Sequence, residues 1–251
     1  RYILIIVLFL TIDLSAQSLK VAENYMDQGE IEKAKALYEK LHTKKPNSSR
    51  ITAAYAKALT QLEQLQKAET VLKNYLERYQ KPMLMVDLGH VYDLQNEQAQ
   101  ADIWYEKAVQ TIDENPFYGF TIGKQFERYG LLDMAVKAYE KGDKLRSSVN
   151  FKVKLARIYG EQGKLEKMFS NYIDLILERS KYRSVIKRNF DAYITEDPEN
   201  EANKVFKKLL VRNIQQQPDV YLNELLGWLY VQEKKYIKAY AQQKAVVMRS
   251  K

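Results

Sequence analysis

A chain of 251 residues with 46% hydrophobic and 29% charged residues has the composition of a folded protein, and only nine Gly and five Pro interrupt it. So few breakers favour long helices over the many turns that an all-β chain of this length needs. There is no Cys, and the only histidines are His42 and His90, so disulfides, thiolate metal sites, a Cys nucleophile, a lipid-anchoring Cys and most zinc or His-based catalytic sets are excluded; the net charge is +8.

In chain order, the first segment is RYILIIVLFLTIDLSAQS, with a basic start at Arg1, an apolar run from Tyr2 to Leu10 and small residues at Ser15 and Ala16. That is a secretory signal pattern, and the run falls short of the ~20 residues a transmembrane helix needs. Residues 1–16 are expected to be a signal peptide cleaved after Ala16, although Leu14 is larger than the residue usual at that position; a helix buried in a core is the structural alternative. The Ala-Gln junction resembles that of exported proteins of Bacteroidetes-type bacteria. A periplasmic or envelope-associated protein is the expectation.

From residue 15 onward the chain repeats itself. Ala recurs at Ala34, Ala68, Ala101, Ala135, Ala202 and Ala239, with Met168 filling the double step, at spacings of 34, 33, 34, 67 and 37 residues. Seven units follow, approximately 15–48, 49–82, 82–115, 116–149, 149–182, 183–216 and 218–251. Twelve residues before these positions stand Ala22, Ala56, Gly89, Gly123, Ala156 and Gly227, with Phe190 the exception. Aromatics follow three residues later at Tyr25, Tyr92, Phe126, Tyr159, Tyr193 and Tyr230, and four after the Ala at Tyr38, Tyr105, Tyr139, Tyr172 and Phe206. Each unit reads as two antiparallel helices that cross closely at the small residue and the Ala, with the aromatics filling the space beside the crossing. Turn signals such as DQGEI, LQNEQ, RYGLL and EQGKL fall within units, and KPML, NPFY and QPDV between them. In the sixth unit, TEDPEN suggests Asp197 as N-cap and Pro198 at the first helical position.

This pattern resembles the tetratricopeptide repeat family, most closely in DLGHVYDLQNEQAQADIWYEKA and LLGWLY. The resemblance implies an all-α, right-handed superhelical α-solenoid over 17–251, and a concave wall, lined by the first helix of each unit, that holds peptides or extended segments. On that register the wall carries Arg50, Lys57, His90, Phe117, Phe120, Lys124, Arg128, Arg157, Lys187, Tyr221 and Trp228, interspersed with Glu23, Asp27, Asp93, Glu127, Glu161, Asp191 and Glu224. The mixture of signs does not demand an acidic ligand. Phe117, Phe120, Lys124 and Arg128 are the most site-like group, with packing on a neighbouring unit the alternative for the two phenylalanines. The Lys and Asn set with which part of the family grips a terminal carboxylate has no match. The RNA-reading pentatricopeptide arrays, with a thirty-five-residue period, are the nearest competitor, and an exported chain argues against an RNA ligand.

The densest basic segments, RSKYRSVIKR and KVFKKLLVR, place Arg179, Lys181, Arg183, Lys187, Arg188, Lys204, Lys207, Lys208 and Arg212 in the fifth and sixth units. They read as a solvated face, or as a surface for anionic lipid or an acidic protein. His90 beside Asp93 lacks a nucleophile or carboxylate pair in register, and His42 reads as surface. No phosphate loop or metal-ligand spacing occurs, so no metal and no cofactor are expected. The function expected is a non-catalytic protein- or peptide-binding scaffold of the cell envelope, without nucleic acid as partner. The alternatives are an adaptor in an outer-membrane assembly or secretion machine and the sensory front of a longer signalling protein or enzyme. The last helix should expose an apolar edge around Tyr240 and Val247, covered by further chain beyond 251 or by another subunit.

Overall fold

The computed structural model describes residues 17–146 and 149–249, and among them every regular element is helical. The leader expected over residues 1–16 lies outside the described residues. The chain divides into two compact bodies, Arg1–Arg146 and Ser147–Lys251. The first holds α1 (17–27), α2 (Ile31–Lys44), α3 (Ser49–Gln61), α4 (Leu65–Leu76), α5 (Pro82–Leu94), α6 (Gln98–Gln110), α7 (Tyr118–Arg128) and α8 (Leu132–Leu145). The second holds α9 (Val149–Glu161), α10 (Leu165–Glu178), a 3-10 turn (Ser180–Tyr182), α11 (Arg183–Phe190), α12 (Glu201–Gln216), α13 (Val220–Gln232) and α14 (Tyr236–Arg249).

The periodicity is realised as helix pairs. α3 packs on α4, α5 on α6, α7 on α8, α9 on α10 and α13 on α14; in the first body α3, α5 and α7 also touch in succession to form one layer. Ala22, Ala34, Ala56, Ala68, Ala101, Ala135 and Ala156 are buried, as are Tyr38, Tyr105, Tyr139 and Tyr172 of the aromatic positions. The turn inside each pair uses one left-handed residue at a repeating position: Gly29, Glu63, Asn96, Gly130, Gly163 and Lys234 all have positive φ. Glycine is the residue that takes this conformation without steric cost. Between pairs, Ser48 caps α3, Pro82 opens α5 and Asp219 caps α13.

The small residue on the first helix answers to a ring as much as to a backbone crossing. A Cβ built on Gly89 would stand 2.5 Å from the Tyr105 ring and 3.2 Å from the Ala101 carbonyl oxygen, and one on Gly123 would run into the Tyr139 ring. At Gly227, where Gln243 replaces the tyrosine, a Cβ would meet only Gln242 Cβ at 3.5 Å and the Ala239 oxygen at 3.8 Å. Gly89→Ala is therefore expected to cost about 1–3 kcal/mol by overpacking. Gly227→Ala should be neutral or stabilising by up to about 1 kcal/mol, the helix-propensity difference. Urea unfolding of the two variants checks the contrast; equal losses would show that the crossing, not the ring, fixes the glycine.

The sixth unit departs from the pattern. α11 is eight residues long and lies against α10 and the 3-10 turn, without an extended contact along α12. Phe190, at the position that is small elsewhere, is fully buried and its ring lies 5.7 Å from Phe169, 5.8 Å from Tyr172 and 4.6 Å from Phe206. A ring that size prevents a close crossing of α11 with α12, so the unit closes through stacked aromatics. The expected cap is also corrected. α12 starts at Glu201 under Asn200, whose side chain accepts from Asn203 N–H, while Asp197 accepts from Glu199 N–H in a turn before the helix. Asn203 holds that turn by donating to the Thr195 and Asp197 carbonyls, which leaves Pro198 outside the helix.

On α14, Tyr236, Ile237, Tyr240, Val247 and Met248 are exposed, and Ile237 keeps 89% of its surface. Among the described residues no helix is long and apolar enough to cross a membrane.

Candidate functional site

The first-helix layer of the first body carries most of the residues expected to bind. Arg50 and Lys57 lie on α3, His90 on α5, Phe117 at the N-terminal boundary of α7, and Phe120, Lys124 and Arg128 on α7. Arg50 is held by Glu23 at 2.6 Å, and Phe120 is half-buried with its ring 6.2 Å from Tyr139 of its own pair. Phe117 remains 58% exposed, and Arg146 sits 4.4 Å over its ring. Lys57, Lys124 and Arg128 are exposed, with no ion pair among the described residues. The second helices contrast with this layer, since Lys67 pairs with Glu39, Lys73 with Glu69, Lys137 with Glu106 and Lys141 with Asp113. The layer's acids are partly engaged within the fold, Glu23 by Arg50 and Glu127 by the Tyr139 hydroxyl.

Beneath this layer lies a polar network that joins α5 to α7. Asp87 is 8% exposed, and its Oδ1 accepts from Gln125 Nε2 and, at 2.6 Å, from the Tyr129 hydroxyl. Burial pushes the Asp87 carboxyl up to about 6, although both hydrogen bonds and the nearby Arg128 act to lower it. Tyr129 is raised by the same burial and by the Asp87 charge. His90 stacks on the Tyr129 ring at 3.9 Å with an 18° interplanar angle, and burial lowers its pKa against the pull of Asp93. Its Nδ1 is buried without a hydrogen-bond partner. His90 is thus a neutral packing element of the wall. His42, read as surface, is instead half-buried in the last turn of α2, 5.7 Å from the Tyr55 ring and 3.4 Å from Thr52 Oγ1. Asp87, Gln125 and Tyr129 were not singled out by the sequence. An acid one turn before His90, on the face that meets the next first helix, was the available signal.

In the second body the wall residues are more fully packed. Arg157 bonds Glu161 at 2.5 Å, Tyr221 donates its hydroxyl to the Arg183 carbonyl at 3.0 Å, and Trp228 packs on Phe206 under the Lys187 ammonium. The basic patch divides. On α12, Lys204 pairs with Glu199 at 2.7 Å, Lys207 with Glu233 at 2.8 Å and Arg212 with Glu166 at 3.7 Å, while Lys208 is exposed. Around α11, Arg183 reaches Asp219 at 3.5 Å, and Arg179, Lys181, Lys187 and Arg188 have no ion-pair partner among the described residues. No group of three metal-ligating side chains occurs among the described residues.

Residues 25–101 match the model of the tetratricopeptide repeat, and the helix pairs continue in the same register beyond that match. Over residues 25–101 the chain is similar to the tetratricopeptide repeat. A tetratricopeptide-repeat relative, TPR repeat-containing protein YpiA of Bacillus subtilis, is 25% identical over 179 residues, covering 68% of this chain and 41% of its own length. The chain thus spans about two fifths of that relative. A solved tetratricopeptide repeat protein from Parabacteroides merdae aligns over 93% of this chain and 92% of its own, with 14% identity and a TM-score of 0.41. The C-terminal part of a TPR repeat-containing protein from Cytophaga hutchinsonii aligns over 92% and 94%, with 18% identity and a TM-score of 0.42.

Proposed function

We propose that this chain is a non-catalytic scaffold of the cell envelope that holds a protein or peptide segment along the first-helix layer of its first body. Tetratricopeptide-repeat proteins commonly act as protein-binding scaffolds, and the export pattern of residues 1–16 supports the envelope setting. The observation that carries the site is Phe117, a large aromatic left 58% exposed beside Arg146 at the N-terminal boundary of α7, whose C-terminal half carries Lys124 and Arg128, exposed and without an ion pair among the described residues. Exposed aromatic and arginine anchors of this type contribute about 2 kcal/mol or more each when a partner desolvates them. Phe120 serves the pair's own packing and drops out of the contact set. In this reading the apolar edge of α14 is covered in the working assembly, by another subunit or by further chain.

The test is a double variant, Phe117→Ala with Arg128→Ala, used in crosslinking capture from native envelope. Recovery of the wild-type partner is expected to fall at least about tenfold, the equivalent of about 1.4 kcal/mol, with helicity unchanged. Undiminished recovery moves the site away from α7.

A further inference from the structure

The cations of the second body are neutralised unevenly. Those of α12 are largely answered by Glu199, Glu233 and Glu166, whereas Arg179, Lys181, Lys187 and Arg188 are unanswered along one short stretch. That stretch is the irregular part of the fold, the Ser180–Tyr182 turn and the eight-residue α11. Two of its cations are fixed in place by rings: Arg183 lies 4.5 Å over Tyr221 and the Lys187 ammonium 5.4 Å over Trp228. Seating on a ring restricts a long side chain, so less entropy is lost when a ligand binds it. Of the acids nearest the stretch, Glu178 pairs with Lys152 and Asp219 with Arg183.

We infer that the turn at Ser180–Tyr182 and the exposed side of α11 dock an acidic, extended polypeptide segment, with Lys181, Lys187 and Arg188 meeting its carboxylates. The occupant follows from charge: Lys181, Lys187 and Arg188, without an ion-pair partner among the described residues on one short stretch, call for several carboxylates in succession. A single-stranded nucleic acid needs aromatic faces on which bases stack. The rings here are taken: Tyr182 faces Lys181, Tyr221 faces Arg183, and Trp228 lies between Lys187 and Phe206. An anionic bilayer favours basic residues backed by a broad apolar face. α11 offers Val185 as its exposed large apolar residue. This site is separate from the one on α7 and stands without it.

Fluorescence anisotropy with a short labelled peptide of alternating Glu and Ala tests the inference on the full chain. The triple variant Lys181→Gln, Lys187→Gln, Arg188→Gln is expected to weaken binding at least about tenfold. Ser184→Glu, which places a like charge on exposed α11 while keeping every cation and its ring, should weaken it too. Lys204→Gln with Lys208→Gln on α12 should change it less than about twofold, because Lys204 is already answered by Glu199. Wild-type affinity in the triple variant and in Ser184→Glu, or an equal loss from the α12 pair, overturns the site. Tighter binding of oligo-dT or of phosphatidylglycerol vesicles, lost in the same triple variant, overturns the choice of occupant. Peptide affinity that survives Phe117→Ala with Arg128→Ala separates this site from the one on α7.

Discussion

Phe190→Ala is expected to destabilise the second body by about 3–5 kcal/mol, the range for removing a fully buried phenylalanine. The direction is informative because the repeat pattern argues the opposite. Every other unit has Ala or Gly at this register, so a substitution toward a small residue resembles a repair. The packing denies it. Phe190 stands between Phe169, Tyr172 and Phe206, and Phe169 is itself 4.7 Å from Phe206, so four rings from three helices close around one another. Alanine leaves a ring-sized void, and α11, too short to slide along α12, gains no compensating crossing. Chemical unfolding followed through the second body reads the loss; a neutral or stabilising result would mean that α11 can adopt the regular crossing after all.

The same residue shows how far the sequence was legible. The thirty-four-residue period is realised as helix pairs outside the sixth unit, because Ala and Gly at the crossings and tyrosines beside them are each demanded by local packing of consecutive elements. Phe190 announced an exception without saying what replaced the rule, since its partners come from α10 and α12 and depend on the path between them. Asp197 and Pro198 looked like a helix start by type and order; Asn203, a buried amide that ties the turn to the helix, decided otherwise. Candidate binding residues were placeable by register, but their availability was not. Whether Arg50, Phe120 or Lys207 is free depends on Glu23, Tyr139 and Glu233, which lie on other elements. The balanced charge of the wall likewise concealed that some acids are engaged while several cations are not.

Asp87 yields the second large effect, and it is read through pH. A carboxyl whose midpoint rises from 3.8 in the unfolded chain to about 6 in the fold contributes its full stability below pH 3.8 and loses it as pH rises through about 6. At 1.36 kcal/mol per pH unit, this amounts to about 3 kcal/mol between the two limits. His90 works in the opposite sense: burial lowers its pKa, so its contribution is lost as pH falls. The wild-type profile mixes the two, and the Asp87→Asn variant separates them. Asn Oδ1 can accept both bonds that Gln125 and Tyr129 now donate to Asp87 Oδ1, so the link between α5 and α7 is preserved while the buried charge is removed. The stability of Asp87→Asn relative to wild type should therefore rise by up to about 3 kcal/mol from pH 3.5 to pH 7.5, measured by urea unfolding at each pH. A difference that stays constant across that range would mean that Asp87 keeps its ordinary midpoint in the fold. Water or Arg128 would then be reaching the carboxylate, and the wall above it would carry one more charge for a ligand to meet.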